Sequence, residues 1–287
     1  MFVLIWSSGF VVARLAAPHA EPLTFLLVRY AGVVVLMLAL AAVARAPWPS
    51  WRQAGHIAVA GIGIQAGYLG GVWVAVAEGM PASVTALVVN LQPVLTALVG
   101  WVAGERMGPR RATGLVLGFV GVALVVSEKL TTSGVTTLTL LLSGGALLAI
   151  TAGTLYQKRF CPEFDLRTGQ VVQFVAALVV TAPFALAFEP MRIDWTPEVI
   201  GALLWSVLVL TGGGISLLFV MLRRGAATQV TTYFYLVPAI TAVLAFVMFG
   251  ERPGWVAVAG MAVTVVGVAL AARSQTRATS TGRLSAA

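Results

Sequence analysis

Few side chains in this sequence have the chemistry to do more than pack. The single asparagine, Asn90, lies inside a long apolar run, seven residues after Ser83 and seven before Ala97, so the three share one helix face. An uncharged amide there must hydrogen-bond a neighbouring helix or face a water-filled cavity. The pattern returns later as Thr228, Tyr235 and Ala242, with Thr231 one turn before Tyr235. Gln65 and Tyr68 stand one turn apart among Gly61, Gly63, Gly67, Gly70 and Gly71. A neutral, weakly polar set of this kind suits zwitterionic or apolar small molecules better than phosphorylated ones, which need several buried cations. Gln92 and Gln229 fall off the Asn90 face and read as helix–helix contacts. The Gly63, Gly67 and Gly71 spacing reads first as a close-packing face.

Arg14 and Arg29 are the costly residues, each within about two turns of the end of an apolar run. From there a long side chain snorkels its guanidinium to the interface. The alternative is an anion-attracting or gating role, with Glu78 at the end of the third run as partner. No carboxylate occupies the middle of a run, which favours facilitated diffusion or exchange over proton antiport. A proton-coupled cycle through Glu78 or a histidine is the alternative.

Other chemistry is missing. No G-x-x-x-x-G-K sequence exists to hold a nucleotide phosphate. Asp165 and Asp194 sit in loops, not in helices where an intramembrane aspartyl protease needs them. His19 and His56 are far apart with no metal-ligand spacing, so neither metal nor cofactor is expected. A Ser–His dyad through Ser8 or Ser143 is left open, with no support beyond the abundance of serine. The one cysteine, Cys161, can form no internal disulfide.

These residues need a scaffold, and composition decides which kind. Hydrophobic residues make up 59% of the 287 and charged residues 10%, with a mean hydropathy of +0.96. Soluble domains carry about 25% charged residues to cover their surface. The solvent for most of this chain is therefore lipid. A span needs about 20 apolar residues, which caps the chain at roughly eleven or twelve. Apolar runs between turn and charge signals give ten, near 2–17, 22–44, 54–78, 82–103, 112–127, 137–156, 168–188, 199–222, 227–249 and 255–272. The tail 273–287 is polar and is expected to be disordered.

The net charge of +8 does not indicate nucleic acid, because the basic residues are dispersed over short loops. They set the orientation instead. With a cytoplasmic N-terminus, Arg45, Arg52, Arg106, Arg110, Arg111, Lys158, Arg159, Arg167, Arg223, Arg224 and the tail arginines lie inside, and only Lys129, Arg192 and Arg252 outside. Both termini are therefore expected in the cytoplasm. No signal peptide stands out before the first run.

The sequence also repeats itself. Gly104-Glu105-Arg106 returns as Gly250-Glu251-Arg252, and Gly108, Gly114 and Gly121 meet Gly254, Gly260 and Gly267. Upstream, one residue out of step, Pro93 meets Pro238, and further back Gly9, Arg14 and Pro18 meet Gly153, Lys158 and Pro162. The copies are 1–127 and 137–272, five spans each. An odd number inserts the second copy upside down, as in carriers that alternate between two related conformations. Proline inside a span removes a backbone hydrogen bond, so Pro93 and Pro238 are expected to kink two matching helices near a midplane site.

The stretch Trp6-Ser7-Ser8-Gly9-Phe10, the run from Glu21-Pro22-Leu23-Thr24 to Arg29, and the two units of proline helix, Gly-Glu-Arg turn and Gly-rich helix resemble the EamA-type transporters of the drug/metabolite transporter superfamily. The resemblance covers about residues 1–272. It implies an all-α inner-membrane carrier of ten helices that exports amino acids or other small metabolites. It also implies a central cavity bordered by helices 1, 3, 4, 6, 8 and 9, and Trp6 joins the candidate site on that ground. The expected partners are a small-molecule substrate and the bilayer, with a monomer as the expected state and an oligomer the alternative. The competing readings are a membrane-embedded hydrolase and a non-transporting membrane partner.

Overall fold

Apolar runs in lipid must satisfy every backbone group internally, and here they do so as helices. The structure, a computed structural model, describes residues 1–104, 108–129, 135–214, 217, 236–251 and 254–284. The helices are α1 Phe2–Ala16, α2 Pro22–Val43, α3 Trp51–Gly61, α4 Tyr68–Ala77, α5 Ala82–Val89, α6 Gln92–Val102, α7 Pro109–Lys129, α8 Thr137–Phe160, α9 Leu166–Phe188, α10 Pro197–Leu204, α11 Val237–Phe249 and α12 Trp255–Leu284. Two π-helical segments interrupt this series. Ile62–Gly67 joins α3 to α4, and Trp205–Gly213 follows α10. Five helical stretches are long and apolar enough to cross a bilayer, and five shorter apolar helices fall in the other expected spans.

Local sequence sets the helix starts. Ser50 accepts from the Gln53 N–H, Thr136 and Thr139 form a reciprocal cap, Asp165 accepts from Arg167, and Thr196 accepts from Val199. The glycines that open the two Gly-Glu-Arg sequences stop two helices in the same way. Gly104 and Gly250 both adopt left-handed backbone, with φ of 92° and 67°, which a Cβ would oppose. α12 continues to Leu284, because extending an existing helix needs no new nucleus.

Glycine places the two copies against each other. A Cβ on Gly260 would stand 2.7 Å from the Gly121 carbonyl oxygen, and one on Gly267 would stand 2.8 Å from that of Gly114. Gly114 and Gly260 are counterparts, as are Gly121 and Gly267, so each copy offers the other the same patch in exchanged order. That is the signature of a two-fold relation. The order along α7 is reversed along α12, so the two helices run antiparallel. The fold is a ten-helix bundle of two inverted five-helix repeats.

The same relation matches two helix starts. α5 ends at Val89 and α6 begins at Gln92, while α11 begins at Val237, the counterpart of Gln92. Pro93 and Pro238 each occupy the second position of the new helix. Pro93 has no N–H for the Val89 carbonyl, and the helix breaks instead of merely bending. The π-helical segments are also counterparts, in the third span and the eighth.

The core centres on Phe25, Leu26, Tyr30, Val33, Trp73 and Phe174, all essentially buried. Phe25 stacks on Trp73 with ring centroids 4.6 Å apart. Exposed apolar side chains such as Val35, Leu141, Val179, Phe184 and Val247 face outward, as lipid requires. Trp48, Trp51, Trp101, Trp195 and Trp255 are exposed near helix ends, in the manner of interfacial belts.

Candidate substrate-binding site

The glycine face of the third span does what its spacing suggested. Gly63, Gly67 and Gly71 lie against Ala149, Gly153, Ala146 and Leu142 of α8. With no side chains between them, the two backbones come close. This brings Gln65, within the first π-helical segment, against a polar row the sequence reading missed. The Gln65 Nε2 donates to Gln173 Oε1 at 3.2 Å, and Gln173 Nε2 donates to Gln157 Oε1 at 2.7 Å. The Tyr30 hydroxyl donates to the Gln65 main-chain oxygen at 2.8 Å. One turn before Gln157, Thr154 accepts from Gln92 Nε2 at 3.0 Å, confirming Gln92 as a contact between helices. Gln173 is almost fully buried, so its paired amides remove what would otherwise be unsatisfied polar atoms. One signal was available for it. Gln173 is the counterpart of Arg29 when the second spans of the copies are superposed.

Arg29 overturns the snorkelling expectation. It is only 7% exposed, and its Nε is buried without a hydrogen-bond partner. A charged arginine in a bilayer costs on the order of 3 kcal/mol, but this one stays inside because it lies on the buried face of α2. Its stem leaves α2 between packed helices, not along a free surface. Glu78, the partner expected for it, is exposed at the end of α4 and forms no ion pair with it. Arg14 is half-buried in the last turn of α1, where it complements the helix dipole.

Asn90 makes its described hydrogen bond locally. Its Nδ2 donates to the Ala86 carbonyl of its own helix at 2.6 Å, not to a neighbour. The reason is the break before Pro93, which ends α5 at that point. Ser83 and Trp6 are half-buried, and Trp6 packs against the main core. Tyr68 is buried. Thr228, Thr231 and Tyr235 lie outside the described residues.

Neither serine considered for a dyad meets a histidine. Ser143 points its hydroxyl at the Met80 sulfur, and Ser8 donates to the Ile5 carbonyl while accepting from the Trp205 indole. His56 pairs with the Tyr156 hydroxyl at 2.8 Å and stacks on Phe160. Among the described residues no three His, Cys, Asp or Glu side chains converge.

Both ends of the α2–α9 pair are fastened. At one end the Glu189 carboxylate accepts from the Leu23 and Thr24 N–H groups at 2.8 and 2.7 Å, and from the Thr24 hydroxyl at 2.7 Å. Asp194 and Glu21 add backbone bonds to His19 and Arg192. At the other end Thr168, the counterpart of Thr24, donates to the Pro47 carbonyl at 2.8 Å. The two fastenings occupy equivalent places and differ in charge.

The profile of the EamA-like transporter family matches residues 1–127 and, a second time, 137–273. The chain belongs to that family. It is a multi-pass inner-membrane transporter, and the double match falls on the two copies that the glycine seam relates. It is 25% identical over 95% of both chains to an uncharacterized transporter of Archaeoglobus fulgidus. It is 24% identical to a probable amino-acid metabolite efflux pump of Salmonella typhimurium, covering 93% of this chain and 91% of that one. It is 24% identical to the uncharacterized inner membrane transporter YedA of Escherichia coli, covering 93% and 88%. A solved crystal structure shares the fold with a TM-score of 0.64 at 19% identity, over 96% of this chain and 95% of that one.

Proposed function

We propose that this protein exports amino acids or closely related small metabolites by alternating access, with both termini in the cytoplasm. The observation that carries this reading is the reciprocal glycine seam between α7 and α12. Two interchangeable halves give one chain two related conformations, open to opposite sides. A hydrolase or a receptor has no use for that duplication. The polar row of Gln65, Gln173 and Gln157, with Tyr30, Tyr68 and Arg29, supplies neutral hydrogen-bonding groups and one cation, a set that matches a zwitterion. The similarity to a relative named as a probable amino-acid metabolite efflux pump points to the same class. Uniport or exchange is the favoured mode, since no carboxylate stands within a span to carry a proton. The protein acts as a monomer in this reading.

Reconstituted vesicles tested with amino acids, nucleosides and sugars decide the matter. Flux of at least one amino acid, saturable and accelerated by the same compound on the opposite side, is the expected result. Folded protein that moves none of the three classes overturns the reading.

A further inference from the structure

Arg29 is the one charged side chain buried in the bundle among the described residues. It is only 7% exposed, and its Nε is buried with no hydrogen-bond partner. A buried cation ordinarily has a carboxylate beside it. Here no described residue supplies one. All ten acidic residues fall in loops or at span ends. Both oxygens of Glu189 are already taken by the start of α2, and Glu78 is exposed. The counterpart position in the second copy holds Gln173, whose amide is fully engaged with two other glutamines. The same place in the fold is therefore filled by a hydrogen-bonded neutral amide in one copy and, in the other, by a cation whose Nε has no hydrogen-bond partner.

We infer that Arg29 receives the carboxylate of the transported molecule, so that the substrate brings the missing counter-ion. A guanidinium binds a carboxylate through two parallel N–H donors. A single buried cation suits a monoanionic carboxylate, not a phosphate ester. This inference rests on the transporter reading above and narrows it to carboxylate-bearing substrates, amino acids foremost.

The test uses the full chain in vesicles, with labelled amino acids each set beside its amide and its decarboxylated amine. The wild-type protein is expected to carry the acid at least about tenfold faster than either derivative, as one charge-assisted pair implies. Arg29→Gln is expected to lose that preference by slowing the acid alone, and Arg29→Lys to keep part of it. Equal wild-type flux of acid and amide overturns the inference while leaving the transporter reading intact. So does an Arg29→Gln protein that preserves the acid-to-amide ratio. If Arg29→Gln does not fold, the wild-type ratio decides alone. Absence of flux for every acid and every derivative defeats the earlier reading and this one with it.

Discussion

Tyr30 in α2 and Phe174 in α9 are counterparts in the two copies, and their rings meet, with centroids 5.6 Å apart and planes tilted by 53°. A residue that touches its own counterpart sits on the axis relating them. The axis therefore passes through the α2–α9 pair as well as the α7–α12 seam. It is marked by two rings that differ by one hydroxyl.

That hydroxyl has a measurable role. Tyr30→Phe keeps the ring and removes the bond to the Gln65 main chain, which is expected to cost about 1 kcal/mol in thermal unfolding in detergent. Tyr30→Ala removes the ring as well and should cost clearly more. An unaltered melting temperature for both would show that the axis contact is idle.

The glycine seam predicts a pair of equal injuries. Gly121→Leu and Gly260→Leu each drive a side chain into the facing backbone, so each should destabilise by about 1–3 kcal/mol. Gly144→Leu is the control, since a Cβ there meets nothing within 4 Å. A seam mutant as stable as the control would argue against the close approach.

Pro93→Ala and Pro238→Ala should have matching effects on transport. Each restores an N–H, and in the first copy Pro93→Ala lets α5 and α6 run on as one. Flux is expected to fall by about an order of magnitude in both, with little loss of folded protein, if the breaks give the moving helices their joints. A large effect in one copy alone would contradict the equivalence of the halves.

Glu189→Gln tests the charged fastening. Its carboxylate holds the first turn of α2 by three bonds, and loss of charge at a helix N-terminus is expected to cost about 1 kcal/mol. Thr24→Val should cost a similar amount, and the double mutant less than the two added together. Additive losses would show that the two groups act independently.

Orientation is open to labelling. Cysteines placed at Ser50 and Asp194, both exposed, should react with an impermeant maleimide from opposite sides, Ser50 from the cytoplasm. The native Cys161 should interfere little, because it is buried and burial pushes its thiol up, leaving less reactive thiolate at neutral pH. Labelling of both sites from one side would refute the ten-span count.

How much of this was legible in the sequence depended on which signals are local. The span ends follow from charges and from Gly104, Gly250, Pro93 and Pro238, each of which dictates its own backbone. Gly63, Gly67 and Gly71 announced a packing face by spacing alone. The inner face of each span was harder, because helices apolar all round carry little directional pattern. So the burial of Arg29 and the pairing of Gln65 with Gln173 and Gln157 were not readable. Nor was the turning of Asn90 onto Ala86, which depends on where α5 ends. The π-helical segments left no mark, since a five-residue hydrogen-bond step has no signature in composition.

Duplication made the halves alike in shape but not in potential. Arg29 and Gln173 hold equivalent places, yet one bears a fixed positive charge and the other none. Because this charge has no counterpart in the other copy, any change in its depth between the two conformations is weighed by the transmembrane voltage with nothing to offset it. The fold is symmetric as architecture and polarised as a circuit, and one side chain supplies that polarity.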